Sequence, residues 1–476
     1  MLEQSAGRIG RRGLIGGALS MAVAMPSLAA PSKPSARILL TTADQALRLS
    51  EQGPAAIGAV PRRPDLVLDS GRTHQRMEGF GASLTESACW AIGQLPWEAQ
   101  ERLLRQLFDP TAGIGLSILR QPVGASDFAL SSYTYYDRRD AGVAAMLNFT
   151  LERERRHVLP MLRRALAINP AITVVGSPWS PPAWMKSGGS LNGGRLLPEH
   201  YGTYADYLVR YVQAMAAEGV AVSALTVQNE PRHETNSYPS MAMDAPEQAR
   251  FLAQHLGPAL AAAGLRTRVL VWDHNWDGVD FPMTVLADPA ARPFVAGVAF
   301  HDYAGDPALV RPLRQAHPQV PLWLTEITAG AWSPGFAGNL RYDVTRLLIR
   351  AVREGVGAVV KWNAALDQGH GPKNGGCQIC DGLVTVDTGT GAVIHNYDYF
   401  ALGHASRFVR PGFTRIEATP ADAGAVDGTA FLGPDGQRVL VAFNTGAADR
   451  TVGVQDGARG FRAWMPAGSA ATFVWR

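Results

Sequence analysis

The chain has 476 residues, of which 46% are hydrophobic and 18% charged, and its formal net charge is +3. A chain of this length and composition is typical of a globular protein with one large and one smaller domain, which excludes a disordered chain. The positive charges form no stripe that predicts a nucleic-acid or membrane surface, and after the N-terminal segment no apolar run is long enough to cross a membrane.

The N-terminal segment has the order of an export signal. Arg8, Arg11 and Arg12 precede the apolar stretch "GLIGGALSMAVAMP", and small residues typical of a cleavage site follow it. An arginine pair directly before the apolar stretch favours the twin-arginine route. We therefore expect residues 1–30 to be a signal peptide and the protein to be exported, to the periplasm or to the outside of a bacterial cell. The alternative is an N-terminus with no targeting role.

Strand-like and helix-like segments then follow in a regular order. Short strands in residues 31–75 are expected to contribute to a β-sandwich. In residues 76–398, short apolar runs alternate with segments of helical periodicity, which favours a (β/α)8 TIM barrel. Residues 399–476 contain short alternating strands with Gly and Asp turns, as in an antiparallel sandwich. The predicted fold is therefore α/β, a (β/α)8 barrel with a flanking antiparallel β-sandwich domain built from both chain ends.

The apolar runs of the predicted barrel share a polarity, since each begins apolar and ends in Glu, Asp, Asn, His, Arg or Trp. A closed parallel barrel buries its strand bodies and gathers its strand ends at one face, where active sites are built. Core packing gives no reason for all the strands to become polar on the same side. The sequence therefore predicts a functional site at this face. The runs are "QRMEGFGASLTE", "GLSILRQPVG", "ITVVGSPWSPP", "ALTVQNEP", "VLVWDHNW", "VAGVAFHDY", "PLWLTEITA" and "AVVKWNAALD".

Two glutamates end apolar runs in comparable settings, Glu230 on the fourth run and Glu326 on the seventh. Strands four and seven are well separated in an eight-stranded ring, so these carboxylates are expected to face each other across its mouth, about 5 Å apart. Paired carboxylates suit the cleavage of a glycosidic bond, in which one donates a proton to the leaving oxygen and the other attacks the sugar carbon. The alternative is that each is an ordinary surface or helix-capping glutamate.

The chain resembles glycoside hydrolase family 30, the glucosylceramidase-like retaining β-glycosidases. The resemblance covers nearly all of residues 75–412 in one order. It implies the same barrel and a sandwich made from both termini. The matching segments are "MEGFGASLTESA", "LRQPVGASDFALSSYTYYD", "SPWSPPAWMKSGGSLNGG", "TVQNEP", "YPSMAM", "WDHNWD", "HDYAGD", "LTE", "DGLVTVD" and "YFALGHASRFVRPG".

Carried over by motif, the resemblance implies that Glu230 of "QNEP" is the general acid/base and Glu326 of "LTE" the nucleophile. Asn229 resembles the amide that hydrogen-bonds the sugar hydroxyl beside the reacting carbon, with a turn-forming role as the alternative. Arg120 is implied to lie among the carboxylates, where a fixed positive charge keeps Glu326 ionised. A buried ion pair of Arg120 with Asp127 is the alternative, and the two readings are compatible.

Five further residues match positions around the substrate. His301 and Tyr303 of "HDY" match positions near the nucleophile, although a histidine at a strand end is more often structural. Trp179 and Trp362 match substrate-binding aromatics, with core packing as the alternative. Glu86 stands where the family usually has Asp, which binds hydroxyls at the far end of the sugar. Because Glu86 is one methylene longer, the resemblance does not determine which sugar the enzyme prefers.

The three cysteines carry no recognisable metal or redox motif. Zinc needs four ligands, and Cys377 and Cys380 lie in a loop, "KNGGCQICDG", with Cys89 as the only other thiol. A short-loop disulfide or two unpaired thiols is expected at Cys377 and Cys380, and Cys89 is expected to be a small buried residue. No HExxH motif, nucleophile elbow or Walker loop is present, so we expect neither a metal nor a cofactor.

The sequence thus predicts a secreted retaining β-glycosidase that hydrolyses β-glucosidic bonds by double displacement, in glucosylceramide-like glycolipids or short glucans. An endo-β-1,6-glucanase or a xylan-directed enzyme of the same family is the alternative within this chemistry, since related subfamilies share the motifs. A non-catalytic carbohydrate-binding protein is the alternative from another class, although such a protein has no need of a paired acid and nucleophile. The expected partner is a β-linked oligosaccharide or glycolipid, and no nucleic acid is expected.

Overall fold

The structure is a computed structural model, and it describes residues 34–140, 146–332, 335–421 and 425–476. The predicted signal peptide of residues 1–30 lies outside the described residues. Across the described ranges, no helix is both long enough and apolar enough to span a bilayer.

Eight parallel strands close into a barrel, as predicted, and are labelled β1 to β8 in chain order. Each pairs in parallel with both neighbours, and β8 pairs with β1 to complete the ring. The strands are Gly79–Ser83, Ile118–Val123, Thr173–Pro178, Val222–Thr226, Arg268–Asn275, Val295–His301, Leu322–Glu326 and Val356–Lys361.

Helices connect successive strands, because two parallel neighbours can be joined only by a long crossover. Two of the connections contain π-helical turns, at Leu252–Leu256 and at Asp343–Ala351. The α-helices are Glu86–Gly93, Trp97–Phe108, Val158–Ile168, Tyr201–Ala217, Ala245–Phe251, Gly257–Ala262, Asp280–Ala287, Arg311–Ala316, Gly335–Tyr342 and Tyr397–Ser406.

The inside of the barrel is filled by side chains rather than open. Strands β2 to β8 all contribute to one interior cluster, and its bulkiest member, Trp323, is fully buried. A filled interior leaves only the ends of the barrel for a binding site. The cluster consists of Ile118, Val175, Ala224, Leu270, Ala299, Trp323, Ala358 and Val360.

Beside the barrel, the structure contains a ten-stranded sheet. Every pairing in this sheet is antiparallel except that of Leu66–Arg76 with Arg450–Asp456. Strands from distant places in the sheet order share one hydrophobic core, so the sheet folds over itself as a sandwich. In sheet order the strands are Ser50–Ala56, Ser35–Thr41, Ala470–Trp475, Arg438–Asn444, Val426–Leu432, Thr414–Pro420, Leu66–Arg76, Arg450–Asp456, Arg459–Met465 and Gly58–Ala59.

Both chain ends build this sheet, as the sequence predicts. Ser35–Thr41 lies between Ser50–Ala56 and the last strand of the chain, Ala470–Trp475. Two smaller sheets lie in the loops after β7 and β8. One pairs Ala329–Gly330 with Cys380–Asp381, and the other contains Ala365–Asp367, Val384–Val386 and Val393–His395.

Candidate active site

A cavity of about 390 Å³ opens at the carboxyl ends of the barrel strands. Its volume lies within the range of small-molecule sites. The polar ends of the strands that the sequence singled out contribute to its wall. Among the lining residues are Asp127, Glu230, His274, Tyr303, Glu326 and Trp362.

Glu326 is the last residue of β7, and only 6% of its surface is exposed. Its carboxylate forms an ion pair with the buried guanidinium of Arg120, which projects from β2. The hydroxyl of Tyr303 donates a hydrogen bond to Oε1 of Glu326 over 3.0 Å. Two donors, one on β2 and one in the loop directly after β6, therefore orient this carboxylate.

Glu230 lies in the loop beyond the end of β4, not on the strand itself. Its φ angle of 46° places it in the left-handed region, which is unusual for any residue other than glycine and costs roughly 1–3 kcal/mol. The backbone N–H of Glu230 donates to the carbonyl of Asp273 over 3.0 Å. Nδ1 of His301 lies 2.9 Å from Oε1 of Glu230 and fixes the side chain. The loop thus turns Glu230 back over the barrel mouth.

The two glutamates meet over one cavity, as the sequence predicts. A carboxylate oxygen of Glu230 and one of Glu326 lie within 4.8 Å of each other. His301 offers a ring nitrogen within the same distance, so these three residues could together contact a metal ion. The guanidinium of Arg120 contacts Glu326, however, and a positive charge there disfavours a bound cation.

Arg120 is the centre of a buried polar network and is fully enclosed. Besides Glu326, it donates to Asp273 over 3.0 Å, to Ser177 over 3.1 Å and to the side-chain oxygen of Asn229 over 2.6 Å. The last contact leaves the amide nitrogen of Asn229 as the group able to donate to a sugar hydroxyl. The predicted alternative partner, Asp127, forms no ion pair with Arg120, so that alternative is wrong.

Asp273 reaches this network through a bulge in β5. Ala299 of β6 pairs with Trp272 and the next residue, Phe300, pairs with His274, so Asp273 is the extra residue. Its φ angle is 69°, and the bulge turns its carboxylate into the barrel mouth. There Oδ1 accepts from Thr325 over 2.6 Å.

The charges of the site determine where its protons lie. Burial raises the pKa of Glu230, but the hydrogen bond and charge of His301 outweigh it and lower that pKa to about 2. Burial raises the pKa of Glu326, and the charges of His301 and Arg120 oppose the rise. Burial lowers the pKa of His301, but Glu326, Asp273 and Glu230 together raise it to about 9. His301 is therefore the protonated partner of Glu230.

A stacked pair of indole rings lies at the base of the cavity. Trp179 follows β3 and Trp362 follows β8, and their rings stack with centroids 5.0 Å apart. The guanidinium carbon of Arg120 lies 4.9 Å from the ring of Trp179. Of these two rings, only that of Trp362 lines the cavity, and the ring of Trp179 packs against it from behind. This arrangement presents one indole of the pair to a ligand.

Glu86 does not line the cavity, in contrast to the expectation that it contacts substrate. It begins the helix Glu86–Gly93, and its Oε2 accepts the backbone N–H of Leu130 over 2.8 Å. The carboxylate that lines the cavity on this side is Asp127, whose pKa is raised by burial and by the nearby charges of Glu326 and Glu230. Glu86 therefore has a structural role at the start of the helix, because a carboxylate in the first helical turn is stabilised by the helix dipole.

Sequence reasoning missed three features of the site. Asp273 was included in the run "VLVWDHNW", but its inward direction depends on the bulge. His274 lines the cavity from the same run. Cys377 and Cys380 form a disulfide, one of the two expected arrangements, and Cys89 is buried as expected, but the position of the disulfide in the cavity wall was not predicted. Only the polar end of the fifth run could have indicated the first two.

Replacing Arg120 with Met should destabilise the fold by about 3–5 kcal/mol, because it leaves the carboxylates of Asp273 and Glu326 buried without their cation. Urea unfolding followed by tryptophan fluorescence measures the change. Arg195 is the matched control, since it pairs with Asp244 and Glu247 at the surface, and Arg195→Met should cost about 1 kcal/mol or less. Equal losses in the two variants would contradict a special role for the buried network.

Comparison with known proteins gives the family. The model of the glycosyl hydrolase family 30 TIM-barrel domain matches residues 77–409, and that of the family 30 beta sandwich domain matches residues 412–473. The endo-1,6-beta-D-glucanase BGN16.3 of Trichoderma harzianum is 31% identical over 458 residues, which are 90% of this chain and 91% of the relative. The lysosomal acid glucosylceramidase of Mus musculus is 29% identical over 449 residues, covering 86% of this chain and 83% of the relative.

A solved structure agrees with these matches. The endo-beta1,6-glucanase BT3312 superposes with a TM-score of 0.86 and 32% identity, over 93% of this chain and 99% of that one. The resemblance inferred from the motifs is thereby confirmed, together with the barrel and the sandwich. The chain is a glycosidase that belongs to glycoside hydrolase family 30.

Proposed function

We propose that this glycosidase is an endo-acting β-1,6-glucanase that retains anomeric configuration. The observation that carries the retaining mechanism is the separation of the two carboxylates, with oxygens within 4.8 Å. Retaining enzymes hold the pair about 5–5.5 Å apart, whereas inverting enzymes need about 6.5–9.5 Å to admit a water molecule. So close an approach of two carboxylate oxygens supports direct attack of a carboxylate on the sugar carbon.

The substrate class rests on similarity to relatives. Endo-1,6-beta-D-glucanases of three fungi and the solved endo-beta1,6-glucanase BT3312 support a β-1,6-glucan. The sequence-based preference for glucosylceramide has weaker support, since the glucosylceramidases resemble this chain at somewhat lower identity. Export, which the predicted leader indicates, suits an enzyme that meets a polymer outside the cell.

In the first step, a carboxylate oxygen of Glu326 attacks the anomeric carbon. The bond from that carbon to the leaving oxygen breaks, and Glu230 gives its proton to the leaving oxygen. Arg120 and Tyr303 orient Glu326 for this attack through the contacts described above. In the second step, water attacks the same carbon, Glu230 takes the proton of the water, and Glu326 leaves as a carboxylate. Two inversions give net retention.

The proton for Glu230 comes from His301. Protonated His301 carries one proton on Nδ1, 2.9 Å from Oε1 of Glu230, and one on Nε2, 3.1 Å from Oδ1 of Asp273. Asp273 is ionised, since the charge of Arg120 and the hydrogen bond of His301 overcome burial and lower its pKa. It therefore retains the proton on Nε2, so the proton on Nδ1 is the one that moves. Passing it to Glu230 leaves a neutral imidazole with its other hydrogen bond intact.

The endo-acting part of the proposal predicts the products. Incubation with soluble β-1,6-glucan should give a ladder of oligosaccharides, and mean chain length should fall early, because internal bonds are cut. Chromatography of timed samples measures both quantities. Xylan, β-1,3-glucan and glucosylceramide are the controls, and each should be cleaved at least ~100-fold more slowly, since the loss of several matched hydrogen bonds is costly. Release of glucose alone, or faster cleavage of glucosylceramide, would contradict the proposal.

A further inference from the structure

A second cavity, of about 380 Å³, adjoins the catalytic one. The two share Tyr303, Thr328 and Trp332 in their walls, so a ligand can extend from one into the other. This second cavity lies beyond β6 and β7. Trp362 and Asp127 line the catalytic cavity but not the second one, and they come from the loops after β8 and β2. A sugar held over Trp362 therefore has the second cavity beside it, towards the loops after β6 and β7.

The rim of the second cavity is aromatic and exposed. Trp332 is 55% exposed, Tyr303 42% and Tyr342 39%. Large exposed apolar side chains are common singly, but three around one cavity form a patch. An aromatic face offers a flat apolar platform to the C–H side of a sugar ring, and its polar edge remains available for hydrogen bonds. We call these three residues the aromatic groove.

The ring of Trp332 is supported by local structure. A methyl group placed on Gly330 would lie 2.2 Å from Cζ3 of Trp332, so the indole packs directly against the glycine backbone. Gly330 pairs with Cys380, and the N–H of Ala331 donates to the carbonyl of Ile379 over 2.9 Å. The disulfide loop thus positions the segment that carries the indole.

The ring of Tyr342 is also fixed, and the floor between the rings is polar. The hydroxyl of Tyr342 donates a hydrogen bond to Asp302 over 2.7 Å, and Asp302 also accepts a hydrogen bond from Arg346. The other floor carboxylate, Asp343, is paired with Lys361 over 2.9 Å. The charges of the floor are compensated within the protein, which suits a neutral, hydroxylated ligand better than an ion.

We propose that the aromatic groove binds the sugar unit on the leaving-group side of the cleaved bond, a proposal that rests on the proposed endo-glucanase function. An enzyme that cuts inside a chain must hold sugar units on both sides of the bond. The groove is a direct continuation of the catalytic cavity through the shared walls, and neither Trp362 nor Asp127 lines it. After the first step, the same groove receives either water or a second sugar as acceptor.

Transfer to an acceptor tests the groove directly. With β-glucosyl fluoride as donor, the leaving fluoride is too small to reach the groove, whereas a β-1,6-linked glucose disaccharide added as acceptor must occupy it. The ratio of transfer product to released glucose should fall about 10-fold in Trp332→Ala, since one stacked aromatic contributes on this scale. Trp464→Ala is the control, because Trp464 is 51% exposed on the sandwich. It should leave the ratio unchanged.

Three outcomes would overturn the proposal. One is an unchanged ratio in Trp332→Ala, and another is an equal fall of transfer and hydrolysis. The third is weaker cleavage of long chains with normal transfer, which would put the groove on the other side of the cleaved bond. Failure of wild type to cleave β-1,6-glucan, with transfer still dependent on Trp332, would count against the proposed function only.

A binding measurement covers the case in which the donor is not turned over. In a Glu326→Ala background, calorimetry with a β-1,6-linked glucose tetrasaccharide should give a dissociation constant about 10-fold higher when Trp332 is also replaced by Ala. Equal constants would overturn the proposal. Addition of Trp464→Ala to the same background should leave the constant unchanged.

Discussion

Glu326→Ala should lower kcat for β-glucosides by roughly 10⁵-fold or more, because the attacking group of the first step is lost. The fold should survive, since Arg120 keeps Asp273 as a buried partner. Steady-state kinetics on an aryl β-glucoside measure the loss, and thermal unfolding checks the fold. Azide is small enough to enter the vacated position and attack the sugar carbon from the same face. It should restore activity and give the α-glycosyl azide.

Trapping in wild type tests the same assignment without a mutation. A 2-deoxy-2-fluoro-β-glucoside with a good leaving group forms the covalent intermediate and slows its hydrolysis. Mass spectrometry of the digested protein should place the label on Glu326. Label on any other residue, or an α-sugar as the first product seen by NMR, would contradict the retaining mechanism.

The barrel could be predicted because its pattern is repeated. Each strand is short and buried on both faces, so each reads as an apolar run, and the polar ends all fall on one side. Glu326 illustrates the success, since it ends both the run and the strand. The position of Glu230 could be predicted less fully. The run that contains it continues past the last paired residue, Thr226, and the left-handed turn at Glu230 is fixed by the carbonyl of Asp273.

Features that depend on register or on loop packing could not be predicted. Asp273 faces inward because β5 carries one residue more than β6 at that point, a mismatch that neither strand reveals alone. Glu86 was expected at the substrate because of the resemblance. Instead it begins a helix, and its carboxylate accepts a hydrogen bond from the backbone N–H of Leu130. Trp332 lies in a loop positioned by the pairing of Gly330 with Cys380, residues far apart in the sequence.

Glu230→Ala should reduce activity by an amount that depends on the leaving group. A sugar leaving group needs a proton, so cleavage of β-1,6-glucan should fall about 10²–10⁴-fold. An activated aryl group leaves without a proton, so formation of its glycosyl-enzyme should fall much less. Pre-steady-state release of the phenol measures this step. An equal loss for both leaving groups would remove Glu230 from the acid role.

The pH dependence follows from the partner of Glu230. His301 holds the proton below its pKa of about 9, so wild-type cleavage of β-1,6-glucan should be lost as pH rises through that value. The aryl glycoside should lack this alkaline limb in its first step, because no proton is delivered. A limb of equal strength with both substrates would place the titration elsewhere.

Azide also separates the two glutamates. In Glu230→Ala the glycosyl-enzyme still forms on Glu326, and azide, which needs no base, attacks in the second step in place of water. Its product should be the β-glycosyl azide, whereas Glu326→Ala should give the α form. The two carboxylates lie within 4.8 Å of each other and share His301, so static geometry alone allows their roles to be exchanged. Exchanged roles would exchange the two azide products, and NMR of the anomeric proton distinguishes them.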